Sequence, residues 1–164
     1  MRKALLLILL VGAVAVPAAA LAATADWSPV SISDGRGKVM LRGRGTVIGR
    51  VDRGTVTVTD LTPLDANEPL TFNCDDETFH GMSTVCSGDR LRFRMIGGGW
   101  RISISGVGID LSAAVSRGSV TLDGDPRKPG IYSVDGFDCR TQATLCAPLP
   151  ALPTTIQLPP PTNP

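Results

Sequence analysis

An internal repeat of glycines and apolar residues is the strongest constraint on what this chain can fold into. At a spacing of 63 residues, VMLRGRG at 39–45 matches ISISGVG at 102–108. At a spacing of 64, RGTVTV at 53–58 matches RGSVTL at 117–122, and at 65, FNC at 72–74 matches FDC at 137–139. Because the matches keep their order, we predict a duplication with copies at 27–86 and 90–146; the alternative is independent convergence of similar hairpins.

Apolar and polar residues alternate within each copy. Val56 and Val58 alternate with threonines, and Ile102 and Ile104 flank a serine. This period of two is typical of half-buried strands, and the chain after residue 26 shows no helical period. Glycine-bearing breaks at 34–37, 43–45, 52–54, 97–99, 106–108 and 117–118 predict tight hairpins in an antiparallel meander.

Each copy is too short to bury enough apolar surface for a stable core of its own. We therefore expect the two copies to share one core in a single domain over residues 27–146. The predicted fold is all-β, an antiparallel β-sandwich or squat barrel of about 9–10 strands with approximate twofold symmetry. A short β-solenoid is the alternative, although solenoids generally need three or more repeats.

The N-terminus predicts export. Arg2 and Lys3 precede an apolar run and an alanine-rich stretch with cleavage sites after Ala22 and Ala25, so residues 1–22 or 1–25 are a predicted signal peptide. The alternative is retention as an anchor; no later segment is apolar enough to cross a membrane. We therefore expect a secreted or cell-envelope protein.

The C-terminal stretch 147–164 carries 7 of the 13 prolines and no charged side chain. Such a composition predicts an extended, disordered tail outside the core.

The four cysteines occur two per copy, which in an exported chain indicates disulfides. The repeat favours the local pairs, Cys74 with Cys86 and Cys139 with Cys146, over bridges between copies. Oxidised cysteines cannot serve as thiolate ligands, so we expect no metal and no cofactor.

Two groups of residues are candidates for binding. The loop between the first cysteine pair contains Asp75, Asp76, Glu77 and the only histidine, His80. A nearby strand carries Arg90, Arg92 and Arg94 on one face. These arginines, with the basic stretch 36–53, indicate either a face that binds a polyanion or mutual screening of neighbouring strands.

The overall charge argues against nucleic acid as a partner. Without residues 1–22 the chain has 14 basic and 15 acidic residues, far from the basic excess of nucleic-acid-binding domains. We expect a non-catalytic interaction or structural protein whose partner is an envelope polymer or protein. The alternative is a small secreted hydrolase that uses the loop carboxylates.

Overall fold

The computed structural model describes residues 27–63 and 70–158, and the predicted signal peptide lies outside them. This part of the chain is antiparallel β-structure with one short 3₁₀ helix, Ala143–Leu145. The strands are β1 (Ser28–Asp60), β2 (Leu70–Phe72), β3 (Asp76–His80), β4 (Ser83–Gly124), β5 (Ile131–Ser133), β6 (Ala147–Pro148) and β7 (Thr154–Leu158). The all-β, antiparallel fold predicted from the sequence is confirmed.

Strands β1 and β4 are too long to be straight. β1 has 33 residues and β4 has 42; at the rise of a strand β1 alone would extend about 110 Å, against about 35 Å for the width of a domain of this size. Shifts in pairing register divide β1 into segments 28–33, 36–44, 45–51 and 53–60. They divide β4 into 83–89, 91–96, 99–107, 109–115 and 117–124.

Hydrogen bonding arranges these segments in two layers, as in a β-sandwich. The first layer has the order 154–158, 117–124, 36–44, 99–107, 53–60, 83–89, 76–80. The second layer has the order 147–148, 131–133, 28–33, 109–115, 45–51, 91–96, 70–72. Consecutive segments of β1 alternate between the layers, so the chain crosses from one to the other at each bend. The sequence predicted 9–10 strands. This number is larger than the seven strands of the structure and smaller than the number of straight segments into which those strands divide.

The prediction of tight hairpins at the glycine breaks is wrong. In the described residues, no two segments of β1 pair with each other; their partners lie in β4 and β5. The glycines instead form bends between layers. Gly45 shows why glycine is required: its φ is +134°, and a Cβ there would overlap the carbonyl oxygen of Ala114.

One hydrophobic cluster lies between the layers. Inward residues alternate along each segment, as the period of two predicts; examples are Leu41 and Ile104 in the first layer and Leu91 and Phe93 in the second. Trp100 is completely buried, and its Nε1–H donates a hydrogen bond of 3.0 Å to the Gly45 carbonyl. The indole N–H is therefore satisfied inside the core.

The pairing register has a twofold pattern. If both members of a cross-strand pair are replaced by the residues 63 or 64 positions away in the other copy, the result is again an observed cross-strand pair. The pair Gly43–Gly118, for example, corresponds to Gly106–Gly54. In the same way Ile32–Leu111 corresponds to Met95–Val47, and Gly37–Gly106 corresponds to Trp100–Gly43. The pattern covers residues 28–60 and 91–124; beyond these, the elements that follow in the two halves differ.

The cysteines form the two predicted local disulfides, Cys74–Cys86 and Cys139–Cys146. The first ties the segment after β2 to residues 83–89. The second closes the loop before β6, where the Cys139 N–H donates to Ser31 Oγ at 3.0 Å and so attaches the loop to β1.

The start of the proline-rich stretch differs from the disordered tail expected from composition. Strand β7 pairs with residues 118–122 of β4, and Leu149 and Leu158 are each only 3% exposed. Gly124 N–H donates to the Pro150 carbonyl at 2.7 Å. Residues 147–158 are therefore part of the sandwich; residues 159–164 lie outside the described residues.

We expect Gly45→Ala to lower the free energy of unfolding by about 2–4 kcal/mol, because it adds a steric overlap to an unfavourable φ. Gly81→Ala is the matched control: Gly81 also has positive φ (+61°), but a Cβ there meets no atom within 4 Å. It should cost only about 1 kcal/mol. Urea unfolding measures both, and equal losses would contradict the steric argument.

Leu149→Ala should destabilise the fold by about 2–4 kcal/mol, since it empties a buried position. Leu152→Ala, three residues away and 76% exposed, should change stability by less than about 0.5 kcal/mol. If chemical denaturation finds no difference between the two variants, residues 147–158 are not part of the cooperative unit.

Candidate functional site

The predicted acidic loop forms a hairpin at the edge of the first layer. Asp76, Glu77 and His80 lie on β3 and are exposed, as is Asp75 just before it. Glu77 Oε1 accepts a hydrogen bond from Thr71 Oγ1 at 2.6 Å. No group of three metal-ligating side chains occurs within the described ranges.

The predicted arginines are separated by a bend. Arg90 has a φ of +56° at the bend between 83–89 and 91–96, and its carbonyl accepts the Asn73 side-chain amide at 3.0 Å. Arg92 and Arg94 follow on the outer face of the second layer. They do not share a site with the acidic hairpin, which belongs to the first layer.

Arg92 and Arg94 line an open groove of about 730 Å³. The groove also contains Arg50 and Arg140, and Asp110 is the one acidic residue that the described part of the chain contributes to its lining. Its remaining lining residues are Ile48, Gly49, Phe72, Asn73, Phe93, Leu111 and Ser112. The site therefore combines four guanidinium groups with exposed apolar surface.

Strand register places these side chains in two rows across the outer face. Residues opposite each other on neighbouring antiparallel strands project to the same side. One row is Phe72, Arg92, Arg50 and Asp110; the next is Leu70, Arg94, Ile48 and Ser112. Within a row, neighbouring strands lie about 4.8 Å apart, and the two rows are about 6.7 Å apart along a strand. Cationic groups consequently recur at short intervals in two directions.

Asp110 fixes one of the arginines. Its Oδ2 accepts Arg50 Nε at 2.7 Å, and Arg50 Nη2 lies 2.6 Å from the same oxygen. The chain makes a β-bulge opposite Asp110, where the pairing shifts between Ile32 and Gly35. This bulge directs the Asp34 N–H to Asp110 Oδ1 at 3.0 Å.

Burial raises the pKa of the Asp110 carboxyl, but the hydrogen bonds from the Asp34 N–H and the Arg50 guanidinium outweigh it, so the net pKa is lowered. The carboxylate is therefore charged at neutral pH and serves as a fixed counter-ion for Arg50.

Arg92 and Arg94 differ from Arg50 in having no counter-ion among the described residues. Within residues 27–63 and 70–158, neither guanidinium takes part in a hydrogen bond or an ion pair. Arg140, on the loop closed by Cys139 and Cys146, also lines the groove, and its Nε is 3.4 Å from Asp138 Oδ1. Two groove arginines are thus open to an anion from solution.

Exposed apolar side chains lie beside these charges. Phe72 is 48% and Ile48 52% exposed, and their strand partners are Arg92 and Arg94 respectively. An aromatic ring next to a guanidinium can cover the flat face of a ligand while the arginine binds its charge. The groove is therefore suited to an anion with an attached apolar or ring portion.

Comparison with protein-family models, curated proteins and solved structures finds no match to this chain. No helix among the described residues has the length and apolarity to cross a membrane.

Sequence reasoning missed Asp110, Phe72 and Arg140 as groove residues. Arg50 lay in the predicted basic stretch, but only strand register places it beside Arg92. A detectable signal was the lone aspartate between Ile109 and Leu111, a charged residue within an apolar run.

Replacing Asp110 with Asn should destabilise the protein by about 1–2 kcal/mol at neutral pH, because two charge-assisted hydrogen bonds weaken. A lowered carboxyl pKa contributes stability above the ordinary value near 3.8, and this contribution is lost as pH falls through the folded-state pKa. The difference between the variant and the parent should therefore shrink in acid.

Asp89→Asn is the matched control, since Asp89 pairs with Arg53 but both side chains are more than half exposed. It should change stability by less than about 1 kcal/mol. Urea unfolding at several pH values measures both variants. A difference for Asp110→Asn that does not vary with pH would contradict the assigned role of the carboxylate.

Proposed function

We propose that this protein is an exported, non-catalytic β-module that binds an anionic polymer of the cell envelope or extracellular space in the arginine-lined groove. The observation that carries the proposal is the pair Arg92 and Arg94, which have no counter-ion within residues 27–63 and 70–158 and lie in register beside Arg50 and Ile48. Charge-assisted hydrogen bonds to carboxylate, sulfate or phosphate groups are the interaction that guanidinium groups form most readily.

Export is supported by both disulfides, since such bonds persist in oxidising compartments. The N-terminal signal sequence remains a prediction. Duplication also remains a hypothesis, and the twofold pattern of strand pairing is its structural support.

The groove departs from this twofold pattern. The counterparts of Arg50 and Asp110 are Ala114 and Thr46, which form their own cross-strand pair. The counterpart of Arg94 is Ser31, which is buried. If the strand framework arose by duplication, the charged groove therefore occurs at one of its two equivalent positions and not at the other.

The hydrolase alternative requires two carboxylates on opposite sides of a cleft. Asp75, Asp76 and Glu77 lie at the edge of the other layer, and Asp110, the single acid that lines the groove among the described residues, is hydrogen-bonded to Arg50. This arrangement gives a carboxylate-pair mechanism no support.

Binding to heparin, used as a probe polyanion, tests the proposal. The protein without its signal peptide should bind at about 0.15 M salt through the groove arginines. Arg92→Gln/Arg94→Gln should weaken binding at least about tenfold and make it less dependent on salt, because two ionic contacts are lost. The matched control is Arg101→Gln/Arg117→Gln, which removes the same charge from the exposed face of the first layer.

Asp110→Asn gives the opposite expectation. It removes the counter-ion of Arg50, so polyanion affinity should rise at low ionic strength. Failure of the parent to bind, or an equal loss in the control variant, would contradict the assignment of the groove.

A further inference from the structure

Strand β3 forms an open edge of the first layer. Among the described residues it pairs with β4 alone, in the register from Asp76–Ser87 to His80–Ser83. A two-residue turn closes this hairpin, with Gly81 at φ +61°, as a type II′ turn requires. All five residues of β3 are exposed.

The turn determines which backbone groups face outward. In a two-residue hairpin, the residues flanking the turn, here His80 and Ser83, exchange both backbone hydrogen bonds, and such pairs recur at every second residue. The N–H and C=O groups of Thr78 and Asp76 therefore also point toward β4. Those of Glu77 and Phe79 point to the open edge.

The edge also exposes apolar surface. Phe79 is 70% exposed, and Met82 in the turn is 53% exposed. An unpaired strand with an exposed aromatic side chain is a template for strand addition unless charges prevent it. The charged side chains of β3 determine which partner strand can pair with it.

We propose that β3 pairs antiparallel with β3 of a second copy of this chain, giving a twofold-symmetric dimer with a continuous first layer. The only register that overlaps all five residues places Thr78 on the twofold axis. In that register Glu77 lies opposite the partner's Phe79, so the four outward-facing residues of the two strands form two hydrogen-bonded pairs. The outward-facing N–H and C=O groups of the two strands thus lie opposite each other in this register.

The side chains are self-complementary in the same register. Asp76 lies opposite the partner's His80, and symmetry produces this pair twice. These are non-hydrogen-bonded positions, in which side chains on opposite strands approach most closely. The carboxylate can accept a hydrogen bond from the imidazole N–H, whereas a shift by two residues would bring Asp76 opposite the partner's Thr78 and leave residues unpaired.

Sedimentation velocity over a wide range of protein concentrations tests the dimer. The parent should show a concentration-dependent shift from monomer to dimer. His80→Asp places two carboxylates together at each symmetric position and should raise the dimer dissociation constant at least about tenfold. Asp76→His/His80→Asp exchanges the two residues and should restore the dimer.

Phe79→Pro is an independent variant, because it removes an outward N–H without removing a hydrogen bond to β4. It should abolish dimerisation while leaving the urea midpoint of the monomer nearly unchanged. A monomeric parent at every concentration overturns the proposal. A dimer that survives both His80→Asp and Phe79→Pro also overturns it, because another surface must then form the contact.

Discussion

The hydrogen bonds between residues 28–60 and 91–124 are the interaction on which the rest of the structure depends. Each inner segment of β1 lies between two segments of β4; for example, 36–44 lies between 99–107 and 117–124. This alternation forms both layers at once and closes a single core between them. It also forms the groove, because Arg50 reaches Arg92 on one side and Asp110 on the other only through this pairing.

The period of two in the sequence predicted the fold class because burial acts on single residues. Leu41, Ile104 and Phe93 lie in the core as their alternation indicates. The connections were harder to predict, because glycine at a break permits either a hairpin or a bend. The choice depends on which strand lies alongside, as the overlap of a Gly45 Cβ with Ala114 illustrates, and that partner is distant in sequence.

The end of the chain illustrates how composition can hide local pattern. The seven prolines of residues 147–164 indicate an extended tail outside the core, but TTIQL at 154–158 has the alternation of a strand and buries Leu158. Proline is compatible with an edge strand because the missing N–H can face away from the sheet. Composition gave no sign that residues 154–158 pair with β4.

The candidate site was partly visible before the structure. Arg92 and Arg94 share a face by simple alternation, so the sequence predicted them together. Arg50 and Asp110 are 60 residues apart, and their contact follows from register alone. The acidic loop seemed close to the arginines along the chain, yet the bend at Arg90 sends the two groups into different layers.

The interleaving of β1 and β4 sets the order in which the molecule can assemble. As synthesis proceeds from the N-terminus, residues 28–60 emerge with no ladder partner among themselves, and their pairing with β4 is complete only after residues up to 124 have followed. Productive encounters then join distant parts of the polypeptide, which makes folding slow relative to a chain of local hairpins.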